Sequence, residues 1–155
     1  MKYLSIYEEY AKEKHTLSGV AIIVEDKILL VHPQKYKFSK YMWSLPKGHV
    51  EGSSKFKSAL KELEEETGIT LKDKKPDTSF KYKYKKNSIH KDLKVYVYYL
   101  KKSDISKHLK NGWEIKKRFD KKEIWQAKFF DLAKAPKKIE ANQKGLLKQF
   151  KVKQL

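Results

Sequence analysis

The chain has 155 residues, with 37 Lys and Arg against 19 Asp and Glu, a formal net charge of +18 and no cysteine. That length suits a single domain, 1–155, with a core of its own. The lack of cysteine excludes disulfides and thiolate-ligated zinc. No apolar run is long enough to span a bilayer, and no basic start followed by an apolar stretch marks a signal peptide, so an intracellular, cytoplasmic protein without a membrane partner is expected.

In chain order the pattern alternates between strand and helix. Residues 5–13 read as a short helix or an extended arm. The continuous apolar run 19–24 (Gly-Val-Ala-Ile-Ile-Val) predicts a buried strand. Glu25, Asp26 and Lys27 then make a turn, and 28–31 returns as the second strand of a hairpin. Residues 33–41 form a polar, aromatic loop, and Trp43 and Leu45 lead into a turn at Pro46 and Gly48. Residues 80–85 alternate Phe-Lys-Tyr-Lys-Tyr-Lys, as a half-buried strand does. Residues 93–100 give another strand, 101–122 a charged connection, 124–130 a further strand and 131–135 a turn. Apolar positions 139, 146, 147 and 150 suggest a terminal helix over 138–150. No internal repeat is evident.

The most informative stretch is 47–69. It places Glu62, Glu64, Glu65 and Glu66 within five positions of an otherwise basic chain. On a helix, Glu62, Glu65 and Glu66 fall at i, i+3 and i+4 and project from one face. Like charges at those spacings weaken a helix, and a divalent cation would turn the repulsion into a binding site. Oxygen-only donors select hard ions, so Mg2+ or Mn2+ is expected. Phe56, Ala59, Leu60, Leu63 and Thr67 recur at spacings of three and four and form the stripe toward the core, with the carboxylates largely off it. Ser53 or Ser54 serves as N-cap, and Gly68 stops the helix.

These residues resemble the Nudix box, the loop–helix–loop motif of the Nudix hydrolases. The family pattern is Gly, five residues, Glu, seven residues, then Arg-Glu-apolar-x-Glu-Glu-x-Gly-apolar. Gly48 matches its opening glycine, and Glu62 to Ile69 match its closing half without a gap. The resemblance implies an α/β Nudix fold, a mixed β-sheet sandwiched between helices. It also implies metal ligation by Glu62, Glu65, Glu66 and the Gly48 carbonyl. The family arginine is Lys61 here, an orienting cation without the planar fork. The loop is one residue shorter than the pattern, a serine falls where its first Glu belongs, and Glu51 is the nearest carboxylate to stand in. Later in the chain, 122–130 takes the place of a family strand, making Glu123 a candidate extra carboxylate with Glu114 as its rival.

The activity that the resemblance implies is hydrolysis of a P–O–P bond in a nucleoside diphosphate linked to another group. Cations offset the charge of the diphosphate, and a carboxylate takes a proton from water. Glu65, Glu66 and Glu123 are candidate bases, and Glu62 belongs to the same catalytic set. The run 43–51 (Trp-Ser-Leu-Pro-Lys-Gly-His-Val-Glu) looks like that of the dinucleoside tetraphosphate hydrolases of the family. Lys47 and His49 are candidate phosphate contacts. Tyr82 and Tyr84 are candidate substrate-binding aromatics, alongside Tyr36, Phe38 and Tyr41. The basic charge raises a second reading, an RNA 5′ end as substrate or a non-catalytic RNA-binding module, with Lys81, Lys83 and Lys85 lining one strand face. Against it, only Arg118 among the basic residues is an arginine, which is the pattern of a compositional bias.

Overall fold

The computed structural model describes residues 14–116 and 123–150. The apolar run 19–24 is the end of a longer strand, β1 (Lys14–Val24), which turns at Glu25 and Asp26 into β2 (Lys27–Pro33). Val24 pairs with Lys27 across this two-residue turn, and Glu25 takes a φ of 58° to close it. Lys27 Nζ then ties the turn to Asp26 at 3.0 Å and to Asp131 at 3.1 Å.

The predicted strand at 80–85 is β4 (Thr78–Lys86), and that at 93–100 is β5 (Ile89–Leu100). They form a hairpin through Asn87 and Ser88, both at positive φ. The strand at 124–130 is β6 (Ile124–Asp131). A third strand, β3 (Lys47–His49), stands where the sequence suggested only a turn. It pairs with β1 through Ser18 and Gly48, because Gly19 lets the chain approach closely: a Cβ there would lie 2.6 Å from the Pro46 carbonyl oxygen. The sheet order is β4-β5-β1-β2-β6, with β3 also on β1. Among the six named strands only β1 and β5 pair in parallel, in register from Lys14 with His90 to Val24 with Leu100; the other strand pairs are antiparallel.

Side chains of β1 alternate between two layers, which is why 19–24 is apolar without a break. Val20 and Ile22 meet Ala59, Leu63 and Ile69 on the side of helix α1 (Lys55–Thr67). Ala21 and Ile23 face Trp43, Leu45, Leu146, Leu147 and Phe150 on the other. Each such fully buried Leu or Ile contributes about 1.5–3 kcal/mol.

The charged connection 101–122 holds a short helix, α2 (Lys102–Ile105), whose Ile105 is buried in the α1-side layer. The last part of the connection, 117–122, and the arm at 5–13 lie outside the described residues. The expected terminal helix is corrected to a 3-10 segment, Ala141–Gln149. Asn142 and Gly145 disfavour an α-helix, and the segment is clamped against β4, where Tyr82 Oη donates to the Asn142 carbonyl at 3.1 Å. No helix among the described residues is long and apolar enough to cross a membrane.

Candidate functional site

Helix α1 is fixed at both ends by its sequence. Ser54 is the N-cap, its Oγ accepting from Lys57 N at 3.1 Å, and Gly68 ends the helix in the left-handed conformation at φ 80°. The buried Ser58 hydroxyl donates to the Glu51 carbonyl and accepts from the Glu51 amide, both at 3.0 Å. The loop before the helix is thereby held to its first turn.

Lys61 Nζ lies 3.1 Å from Glu51 and 4.0 Å from Glu65. The Glu51 hydrogen bond, with the charges of Glu51 and Glu65, pushes the Lys61 ammonium above the usual lysine range. Glu51 thus supplies a carboxylate to the box cation from the shortened loop.

Gly48 sits against the Glu62 side chain: a Cβ at 48 would be 2.5 Å from Glu62 Oε1. Glu62 and Glu65 are half-buried on the outer part of the helix face. Glu66 differs from the expectation that the acids lie off the core, being only 7% exposed and turned into a cleft. No three Asp, Glu or His side chains among the described residues enclose an ion-sized space. Mutual repulsion and the Lys61 pairs both favour splayed carboxylates. The donor set nonetheless fits a hard divalent cation. It consists of carboxylate oxygens from one helix face, with the Gly48 backbone held against one of them.

The cleft has a volume of about 560 Å3, and its walls include Gln34, Lys35, Ser44, Lys47, Glu66 and Glu123. Its size is that of an ordinary small-molecule site. Burial pushes the Lys47 ammonium below the usual lysine range, the charges of Glu140 and Glu66 oppose this, and Lys86 and Lys91 add to it. Glu123 lines the same cleft as Glu66, and its carbonyl accepts from Gln34 N at 2.6 Å. Glu114 instead faces a separate depression beside Trp113, where it pairs with Lys110 at 3.2 Å and accepts from Gln126 Nε2 at 2.7 Å. Burial raises the Glu114 carboxyl, but those two partners prevail and hold it below the usual range.

Three other candidates lie apart from the cleft walls. His49 is exposed at the end of β3, edge-on to His15 at 5.3 Å. Tyr82 and Tyr84 stack loosely on one another, ring centres 5.8 Å apart, under the 3-10 segment. Burial, then the charge of Glu140, pushes the Tyr84 phenol up to about 12. Sequence reasoning missed Glu140, which is buried near the cleft with Lys86 and Gln143 as partners. A lone Glu in a basic tail carries no spacing signal.

The site sets an acidic helix face beside a cleft walled by Lys35, Lys47, Glu66 and Glu123, on a six-stranded mixed sheet. The chain matches the family model for the NUDIX domain over residues 14–150. It therefore belongs to the Nudix family and is a Nudix hydrolase, a group of pyrophosphohydrolases that generally use divalent metals.

Solved structures agree on the fold. A Caenorhabditis elegans Ap4A hydrolase binary complex is 22% identical with a TM-score of 0.63, over 88% of this chain and 94% of that one. The MutT NUDIX hydrolase of Burkholderia pseudomallei is 19% identical with a TM-score of 0.64, over 90% and 100%. The NUDIX domain of Shewanella oneidensis NrtR, complexed with ADP ribose, is 17% identical with a TM-score of 0.63, over 96% and 94%. No curated protein matches the chain.

Proposed function

We propose that the protein is a Mg2+- or Mn2+-dependent hydrolase of dinucleoside polyphosphates such as diadenosine tetraphosphate. The observation that carries this reading is the meeting of the box with the cleft. Gly48 lies against Glu62, while Lys47, one residue earlier, and Glu66, one helical turn on, both line the cleft. Glu62, Glu65, Glu66 and the Gly48 carbonyl are the groups that would hold the cation. When bound, it offsets charge on the diphosphate oxygens and acidifies water. On this reading Glu66 or Glu123, which both line the cleft, takes the proton from the attacking water, with Glu65, next to Glu66 on the helix, as the third candidate. Lys47, on the cleft wall, neutralises a phosphate oxygen as the bridge breaks on this reading. Lys61 draws Glu65 along the helix and takes the orienting role of the family arginine.

A second reading, an RNA 5′ end as substrate, draws on the loop that enters the cleft at Gln34 and Lys35. There Phe38 is 94% exposed and Tyr41 60%, interleaved with Lys35, Lys37 and Lys40. Lysines alternating with open aromatic rings suit a single strand.

The test offers diadenosine tetraphosphate and a 5′-triphosphorylated RNA side by side with Mg2+, with product analysis. Faster turnover of the dinucleotide supports the first reading. Faster turnover of RNA, with affinity falling steeply in salt, replaces it with the second. No product from either sinks both.

A further inference from the structure

Glu140 is 5% exposed, and an ionised carboxylate at that depth needs close cationic and hydrogen-bonding partners. It has both. Lys86 Nζ donates to Oε1, and Gln143 Nε2 donates to Oε2 at 2.7 Å. The fully buried Gln143 amide also meets the Ser44 hydroxyl, accepting from it at 3.4 Å and lying within donating distance at 3.3 Å. Ser44 is a wall of the cleft, beside Lys47. The backbone fastens the same contact: Trp43 N donates to Lys138 O at 3.1 Å, and Glu140 N donates to Trp43 O at 2.9 Å.

The other side of Lys86 faces cations and an aromatic ring. Its ammonium lies 5.9 Å from the centre of Tyr36, whose ring also receives Lys35 Nζ at 5.0 Å. Lys47 lies within electrostatic range of Glu140, Lys86 and Lys91, and Lys91 within range of Glu140, Lys86 and Lys35. Lys35, Lys47, Lys86 and Lys91 thus form a linked group of four ammonium charges, facing Glu140 and, at Lys47, also Glu66; four less two leaves two positive charges in excess. Like charges held this close repel unless an anion joins them. Two of the four, Lys35 and Lys47, line the cleft that contains Glu66.

We propose that Glu140 is a positioning residue: it holds Lys86 beside the cleft so that Lys86, Lys35 and Lys47 together receive the phosphates of a linear polyphosphate chain beyond the bond that is cleaved. The proposal rests on the reading of a phosphate-anhydride substrate. It adds a preference for a chain of phosphates over a single one, since the excess positive charge is spread over several side chains.

The test separates positioning from mere structural support. Inorganic tripolyphosphate is titrated calorimetrically, in EDTA so that no turnover occurs, into the parent, Glu140→Gln, Lys86→Met and the double variant. Thermal midpoints are read in parallel, along with KM and kcat for diadenosine tetraphosphate with Mg2+. Each single change is expected to weaken tripolyphosphate binding about tenfold, and the double no further, because both act through one ammonium group. KM rises in step while kcat stays within about twofold. Lys86→Met alone strands a buried carboxylate and lowers the midpoint; adding Glu140→Gln restores the midpoint but not the affinity.

Recovery of affinity together with the midpoint in the double variant would overturn the proposal, as would parent-like binding by Glu140→Gln or no binding by the parent. If the parent binds tripolyphosphate with the expected pattern but leaves diadenosine tetraphosphate intact, the positioning role stands and only the choice of dinucleotide fails.

Discussion

The backbone of Gly48 lies directly against the carboxylate of Glu62, so that a methyl group at 48 would sit 2.5 Å from Oε1. Glycine is needed there for room. Gly48→Ala is expected to push Glu62 out of place while the helix, capped independently at Ser54, stays formed. A displacement of this size at a reacting centre costs on the order of 100-fold in rate. Product release assayed with Mg2+, beside a circular dichroism spectrum, checks it; parent-like turnover would mean that Glu62 has no fixed place in the reaction.

Glu65→Gln removes one of three like charges from a single helix face and one distant partner, at 4.0 Å, of Lys61. Less repulsion means that stability should hold or rise slightly. Activity should fall by about 100- to 10,000-fold, the range for a lost proton-transfer or charge-stabilising group. An active variant would remove Glu65 from the chemistry.

Ser54→Ala deletes the hydroxyl that accepts from Lys57 N at 3.1 Å. The cap is exposed enough for water to compensate in part, so a loss of about 1 kcal/mol is expected in urea unfolding, with the slope unchanged. Because the loop is tied separately through Ser58 and Glu51, KM for the metal should change little.

Tyr84 gives a pH prediction with a definite sign. Its phenol ionises at about 12 in the folded chain against 10.0 for a free tyrosine. Between those values the unfolded chain has already released the proton and the folded chain has not, so the stability contribution is complete below pH 10.0 and is lost as pH rises toward about 12. Tyr84→Phe should flatten this part of the stability curve and delete the last step of a tyrosinate absorbance titration. An unchanged titration would place Tyr84 in contact with solvent.

What could be read before the structure was local. The hairpin at Glu25 and Asp26, the alternation of β4 and the capped acidic helix each declare themselves within a few residues, through turn chemistry and periodicity. The box residues are legible for the same reason. The parallel pairing of β1 with β5 is not, because each strand reads as buried whatever its neighbour. β3 is three residues long and rests on the absence of a side chain at Gly19. The pattern of Tyr82 shows a half-buried ring, but nothing in it reveals a hydroxyl bound to Asn142, 60 positions away. The Glu140 cluster joins Lys86 across 54 positions and Ser44 to Gln143 across 99, distances at which a single sequence carries no pairing information.

The two covers of the sheet differ in kind. One is a thirteen-residue α-helix with a proper cap at each end; the other is a nine-residue 3-10 segment held by a few contacts to β4 and to the Trp43 stretch. Amide exchange should therefore divide the molecule unevenly, with protons of β1 and β5 the slowest to leave and those of 141–149 among the fastest within the folded part. Each brief opening of that weaker cover would bare Leu146 and Leu147 and detach Glu140 from Lys86. The occupancy of the cationic wall of the cleft then becomes a matter of how often the chain's end is shut, and a polyanion lodged there would slow exchange in a segment it never touches.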